Sequence, residues 1–213
     1  MRAVSNLYLR VLPRALFGFR RYLVFAAVLF VTCVIVGYRG FSDSSGSLPW
    51  IFRSLVRLKE VLESVTPGWR VVILFWNNLK VTLISLAFGW ILGIVPILGI
   101  AVNGVLIGAG AKLLVVRGTM PLHVVALGLL PHGLFELPAF LIGQAMGLRI
   151  GLFAPVVWAG RASRADLGRI VAESAAILVL VVVPLLAVAA LMELGVSPSV
   201  LRLLTRGLSD LPF

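Results

Sequence analysis

Charge is scarce in this chain, and acid is scarcer. Asp, Glu, Lys and Arg make up 13% of its 213 residues, with 8 acidic groups against 19 basic ones. So few charges cannot coat a water-facing surface around a sequence that is 61% hydrophobic, because a soluble fold sets a polar exterior over its apolar core. An ordinary soluble domain is excluded, and the bilayer is the natural solvent. Cysteine is nearly absent as well. Cys33 is the only one, which excludes an intrachain disulfide and a Cys-rich metal motif. It reads as a small apolar filler in the first span. Nucleic-acid-binding motifs are missing, so the net charge of +11 is read as matching anionic headgroups and fixing topology, with no nucleic-acid partner. No small-x-small cleavage site follows the first apolar run, which reads as an uncleaved signal anchor.

What is present is long apolar runs almost free of charge, at 22–38, 81–111, 118–148 and 170–192. Each reaches or approaches the roughly 20 residues that a spanning helix needs. They lack period-two alternation, so they read as helices rather than barrel strands. The fold class is all-α: one polytopic membrane domain over 1–213 with about five spans and interfacial amphipathic helices. Segment 1–20 is expected at the interface, bent at Pro13, with the core at 20–192 and an amphipathic tail at 193–213. Spans are expected near 22–36, 79–97, 99–116, 122–148 and 170–192, the fourth broken at Pro131. A tight hairpin is expected near 95–104, and the apolar part of 149–169 is read as re-entrant or interfacial. Segments 48–64 and 197–208 read as amphipathic helices. Arginines before residue 22 and in 149–169 favour a plasma-membrane orientation with the N-terminus cytoplasmic and the C-terminus outside.

The informative residues are the polar ones inside apolar runs. Fourth-span polar groups are His123, His132, Glu136 and Gln144, Asn103 lies at the hairpin, and Asn77 and Asn78 lie at the entry to span two, before Thr82 and Ser85. Glu136 reads as the one acid well inside the apolar regions, where a charge costs at least about 2.5–3.5 kcal/mol. His132 and Glu136, four apart, share a helix face. His123 lies about half a turn away, so the three do not form a two-His-one-carboxylate metal triad, and H-E-x-x-H is lacking. Neither a metal nor a cofactor is expected. Span four offers no Ser or Cys nucleophile; Ser85 and Ser174 would serve only if packed against His132. The preferred reading is a structural clamp. Pro131 starts a half-helix, Glu136 sits in its positive first turn, Gly133 admits a neighbouring helix, and six residues, His132, Glu136, Asn77, Asn78, Asn103 and Gln144, make up a buried polar cluster. The same parts would also build a conduction site in a discontinuous helix. Glycines four apart, Gly89/Gly93, Gly104/Gly108, Gly143/Gly147 and Gly147/Gly151, are read as packing faces within the chain, with a homodimer interface as the lesser alternative.

These motifs carry a resemblance. "FWNN" at 75–78, "NG" with a further glycine (Asn103, Gly104, Gly108) and "PHGLFELPA" at 131–139, with Gly147 beyond, resemble the stage II sporulation protein M family over about 20–190. Pro131, His132, Gly133, Glu136, Asn78 and Asn103 would be its signature positions. The resemblance implies a polytopic membrane anchor, which in endospore formers works with two peptidoglycan-degrading partners. The expected function is a non-enzymatic membrane protein that recruits as yet unidentified partner proteins, in contact with membrane lipids. The alternative is a small channel, transporter or permease-like subunit using Asn77, Asn78, Asn103, His132 and Glu136. An intramembrane enzyme comes third.

Overall fold

A computed structural model describes the backbone of residues 12–41, 60–62, 64–116 and 122–195, and the side chains of 18–41, 60–62, 64–116 and 133–192. Every regular element among them is helical: α1 (Leu12–Gly40), α2 (Pro67–Phe88), α3 (Ile94–Val116), α4 (Leu122–Trp158), α5 (Arg164–Ile177), a π-helical turn (Leu178–Val182) and α6 (Val183–Gly195). Five stretches are long and apolar enough to cross a membrane: Gly18–Gly40, Pro67–Phe88, Ile94–Val116, Gly133–Trp158 and Arg164–Met192. The chain is a multi-pass helical bundle. The amphipathic segment read at 48–64 falls largely outside the described residues, and that at 197–208 wholly outside them.

Several boundaries differ from the sequence reading. Helix α1 starts at Leu12 and continues without a break into the first span. Pro13 sits in its first turn, where a missing N–H costs nothing; residues 1–11 of the expected interfacial segment lie outside the described residues. The second span begins twelve residues earlier than expected, at Pro67. The hairpin to α3 is accordingly Gly89–Gly93. There Leu92 (φ 52°) and Gly93 (φ 70°) both take the left-handed conformation, and Gly93 N–H donates back to Gly89 O at 2.8 Å. Apolar composition hid this turn, since Trp90, Ile91 and Leu92 resemble their neighbouring spans.

Helix α4 overturns two expectations. It runs unbroken for 37 residues through Pro131, Pro138 and Pro155. Each proline removes one backbone donor, but neighbouring helices and local adjustments accommodate that inside a membrane bundle. The helix therefore does not restart at Pro131. Residues 149–158 extend it rather than forming a re-entrant segment. At about 1.5 Å per residue it is roughly 55 Å long, so it tilts across or projects beyond a hydrocarbon core of about 30 Å. It ends in a glycine cap: Gly160 (φ 69°) follows Trp158, Arg161 N–H reaches Val156 O and Gly160 N–H reaches Val157 O. Ser163 and Asp166 then form a reciprocal capping box that starts α5.

The central helix is α4. Half of its spanning window is buried, against 11–28% for the other four. Its Ala139, Ala145, Met146 and Leu148 meet Phe19, Tyr22, Ala26 and Phe30 of α1, Ile100 of α3, and Ile177, Val182 and Leu186 of the last span in one core. The glycine faces close this packing within the chain. A Cβ on Gly147 would stand 2.6 Å from Ser85 O, and one on Gly151 would strike Gly89 O and Gly93 N. Gly104 and Gly108 meet α1 at Phe30, Cys33, Val34 and Tyr38 in the same way. The π-turn has a local cause. Pro184 cannot donate to the carbonyl one turn back, and its ring crowds it; just before it, Val183 N–H bonds Leu178 O, five residues away.

Candidate functional site

Two groups of polar side chains lie inside the bundle, and they do different jobs. The first is a joint. Ser85 Oγ of α2 donates to Gln144 Oε1 of α4 at 2.6 Å, and Ser85, Gln144 and Thr82 are 2% exposed or less. Gly143 faces Thr82 and Gly99 faces Gln144, each too close for an added Cβ. Gln144 was read as part of the Asn/Glu set. The structure instead gives it to this joint between α2, α3 and α4, because it lies eight residues, about two turns, beyond Glu136. Of the two serines considered as nucleophiles, Ser85 is spent here and Ser174 donates to Ile170 O at 2.8 Å.

The second group surrounds a cavity of about 790 Å³. Asn77 and Asn78 reach it from α2, Asn103 from α3, and Gly133 and Glu136 from α4. Its other walls are apolar and include Phe30, Val81, Leu137, Phe140 and Leu186. Asn77 is ten residues after Pro67 and Asn78 ten before Phe88, so this pair marks the middle of its span rather than its entry. Asn103 likewise lies within α3 and not in the hairpin. Its Nδ2 donates to Gly99 O at 2.8 Å. Ile107 and Leu134, both lining the cavity, are 42% and 63% exposed.

Glu136 stands fourteen residues into α4. The positive end of the helix dipole acts over the first turn only, so it does not stabilise this carboxyl group as the half-helix reading required. Gly133 is not a helix-crossing point either: a Cβ there would meet nothing within 4 Å. It borders open space in the cavity instead. His132 and Glu136 retain helical spacing along α4. The side chains of His123, Pro131 and His132 lie outside the described residues. Four of the six residues singled out from the sequence, Asn77, Asn78, Asn103 and Glu136, thus converge on one mid-membrane cavity.

Sequence reasoning missed a third polar element. Arg149 of α4 and Glu173 of α5 form an ion pair at 2.8 Å, with side chains 14% and 24% exposed. Glu136 is therefore not the only acid within the spans. Placing Arg149 in a loop concealed the pair, although Glu173 lay three residues inside the fifth expected span. Gly18 of α1 makes room for the guanidinium, since a Cβ there would be 3.3 Å from Arg149 Nη2. This contact sets the start of α1 beside the second half of α4. The Trp90 and Trp158 rings, edge to face at 6.4 Å, bring the α2–α3 hairpin to that same end of the bundle. The described start of the first span, with Arg20 and Arg21, thus lies at the same end of the bundle as Arg149.

No curated protein and no solved structure matches the chain. The family model of stage II sporulation protein M matches residues 23–198, most of the chain and all of the cavity lining. With its five apolar spans and its Asn, Gly and Glu positions in order, the chain belongs to the stage II sporulation protein M family.

Proposed function

We propose that this protein is a small permease-like membrane protein that holds a solute at mid-membrane, in the cavity bordered by Asn77, Asn78, Asn103 and Glu136. One observation carries the reading: hydrogen-bonding groups from three spans converge on a space of about 790 Å³, within the range of organic-ligand pockets. Polar groups at that depth are expensive and mark ligand or ion paths when they face a cavity. The packing role that would otherwise explain them belongs to Ser85 and Gln144. In this reading the protein performs no covalent chemistry. Its N-terminus is cytoplasmic, because the arginine-rich end of the bundle belongs inside.

The test is solute release from liposomes reconstituted with the purified full chain. Wild type should pass small solutes faster than protein-free liposomes, and Glu136→Gln should remove the excess while keeping its elution profile and melting temperature. Equal release from wild-type and empty liposomes would sink the proposal.

Family membership favours a second reading, in which the bundle is a non-enzymatic platform anchoring partner proteins at the membrane. The segments at 48–64 and 197–208 would be the docking surfaces. Under it, removing 197–208 abolishes partner association in cells, and Glu136→Gln leaves that association intact.

A further inference from the structure

We infer that the outward face of α2 docks a transmembrane helix of a partner protein, one that carries an aspartate or glutamate at mid-span opposite Lys80. The inference rests on the platform reading above and is independent of the cavity. Lys80 would stand at the membrane edge if the second span began near residue 79. With α2 running from Pro67 to Phe88, it lies thirteen residues in and eight from the end, two beyond Asn78 at the middle of the span. At about 1.5 Å per residue, the nearer helix end is about 12 Å away. A lysine's four-carbon stem covers roughly half that distance. Side chains in a helix also lean toward its N-terminus, here away from the nearer end, so the ammonium does not snorkel out to water. Yet Lys80 is exposed on the surface of the bundle. The ion pairs among the described residues join Arg149 to Glu173 and Arg169 to Asp166, and Lys80 takes part in none. A lysine at this depth is expensive in lipid and calls for a partner.

The residues around it form a packing surface. Val72, Trp76, Lys80, Ile84 and Phe88 recur every four positions and are all exposed. They make one continuous ridge of the kind that seats in the groove of a neighbouring helix. Trp76 lies one turn from Lys80. Tryptophan favours the membrane–water boundary, but here it faces outward at mid-depth and adds an indole N–H donor to the same face. Charge decides the occupant. A second copy docked α2 to α2 about a twofold axis sets Lys80 toward Lys80. The acids described within the spans are placed elsewhere, Glu136 at the cavity and Glu173 against Arg149. A partner helix with a mid-span carboxylate neutralises Lys80 and covers the ridge.

The experiment measures energy transfer in phosphatidylcholine liposomes between the labelled full chain and a labelled Leu/Ala transmembrane peptide of about 24 residues. The peptide carries one glutamate at its centre, and its controls carry glutamine or lysine there. The expected result is saturable association with the glutamate peptide, at least tenfold tighter than with the glutamine peptide and absent with the lysine peptide. Lys80→Met should remove that preference, Lys80→Arg should keep it, and Lys80→Glu should transfer it to the lysine peptide. The peptide series on the wild-type chain decides the matter even where a variant fails to fold. Equal association with all three peptides, or a glutamate preference that Lys80→Met retains, overturns the assignment. Self-association of differently labelled chains that Lys80→Met abolishes overturns it as well, because a second copy is then the occupant. Loss of the glutamate preference when phosphatidylglycerol replaces part of the phosphatidylcholine overturns it in favour of an anionic lipid headgroup. If no peptide associates, the α2 surface loses its assignment; the platform reading falls with it only if removing 197–208 also leaves partner association in cells intact.

Discussion

The hydroxyl of Ser85 donates to Gln144 Oε1 at 2.6 Å, with both side chains sealed from the surface. This bond holds α2 to α4 one turn from the place where Gly147 lies against the α2 backbone. Ser85→Ala leaves the Gln144 carbonyl buried without that donor, which costs about 1–3 kcal/mol in a protein interior. Interhelical bonds inside membranes average nearer 0.6 kcal/mol, so the low end is expected. Melting of the purified variant in detergent should fall by a few degrees, and the double variant Ser85→Ala/Gln144→Leu, which removes both polar partners, should fall no further. A larger loss in the double variant than in Ser85→Ala would show that Gln144 has a second structural duty.

Arg149 and Glu173 give a stronger expectation. Breaking a fully buried ion pair by removing one partner costs about 3–5 kcal/mol, and an exposed pair is worth about 0–1 kcal/mol; this half-buried pair falls between them. Arg149→Ala and Glu173→Ala should each lower the melting temperature well beyond Ser85→Ala. The double variant should lose clearly less than the two single losses added together, the signature of direct coupling. Additive losses would mean that each residue acts through other neighbours.

The glycines separate packing from mere flexibility. A Cβ at Gly151 would strike the backbone of Gly89 and Gly93, whereas one at Gly168 would meet nothing within 4 Å. Gly151→Ala should force α4 away from the α2–α3 hairpin and reduce yield of folded protein. Gly168→Ala lies in an exposed part of α5 and should be neutral or gain about 0.5–1 kcal/mol from helix propensity. Gel filtration of both variants from parallel preparations decides the matter; equal profiles would contradict the close crossing.

What could be read from the sequence follows from what hydropathy encodes. Span number and helical class were legible because backbone groups in lipid leave few alternatives. The order of Asn78, Asn103 and Glu136 was legible too, because a polar residue in an apolar run stands out. Turn positions were not. Gly89–Gly93 is as apolar as the spans it joins, so no polarity step marked the hairpin, and Asn77, Asn78 and Asn103 were placed at span ends rather than at mid-depth. Pro131 misled for a different reason: proline breaks helices in water but is tolerated within membrane helices, and α4 continues through it. The division of labour between Gln144 and Glu136 was out of reach, since it depends on which helices face each residue.

The cavity and the joint should also respond differently to substitution, and this is the sharpest test of the division between them. Glu136 and Gly133 border the cavity, and a Cβ added at Gly133 meets no atom within 4 Å. Gly133→Phe therefore fills space without straining the core, and replacing a helical glycine gains rather than loses stability by up to about 1 kcal/mol. Glu136→Gln keeps the shape of the side chain and replaces a carboxyl oxygen with an amide at the cavity wall. Gly133→Phe should melt at or above the wild-type temperature in detergent and Glu136→Gln above Gln144→Leu, yet both should lose solute release in liposomes. Substitutions at Ser85 or Gln144 should do the reverse, lowering the melting temperature while the protein that remains folded keeps its release rate. Measuring melting and release on the same four preparations separates the roles. If Glu136→Gln melts as low as Gln144→Leu, then Glu136 is a structural clamp like Gln144 and the cavity loses its claim to function.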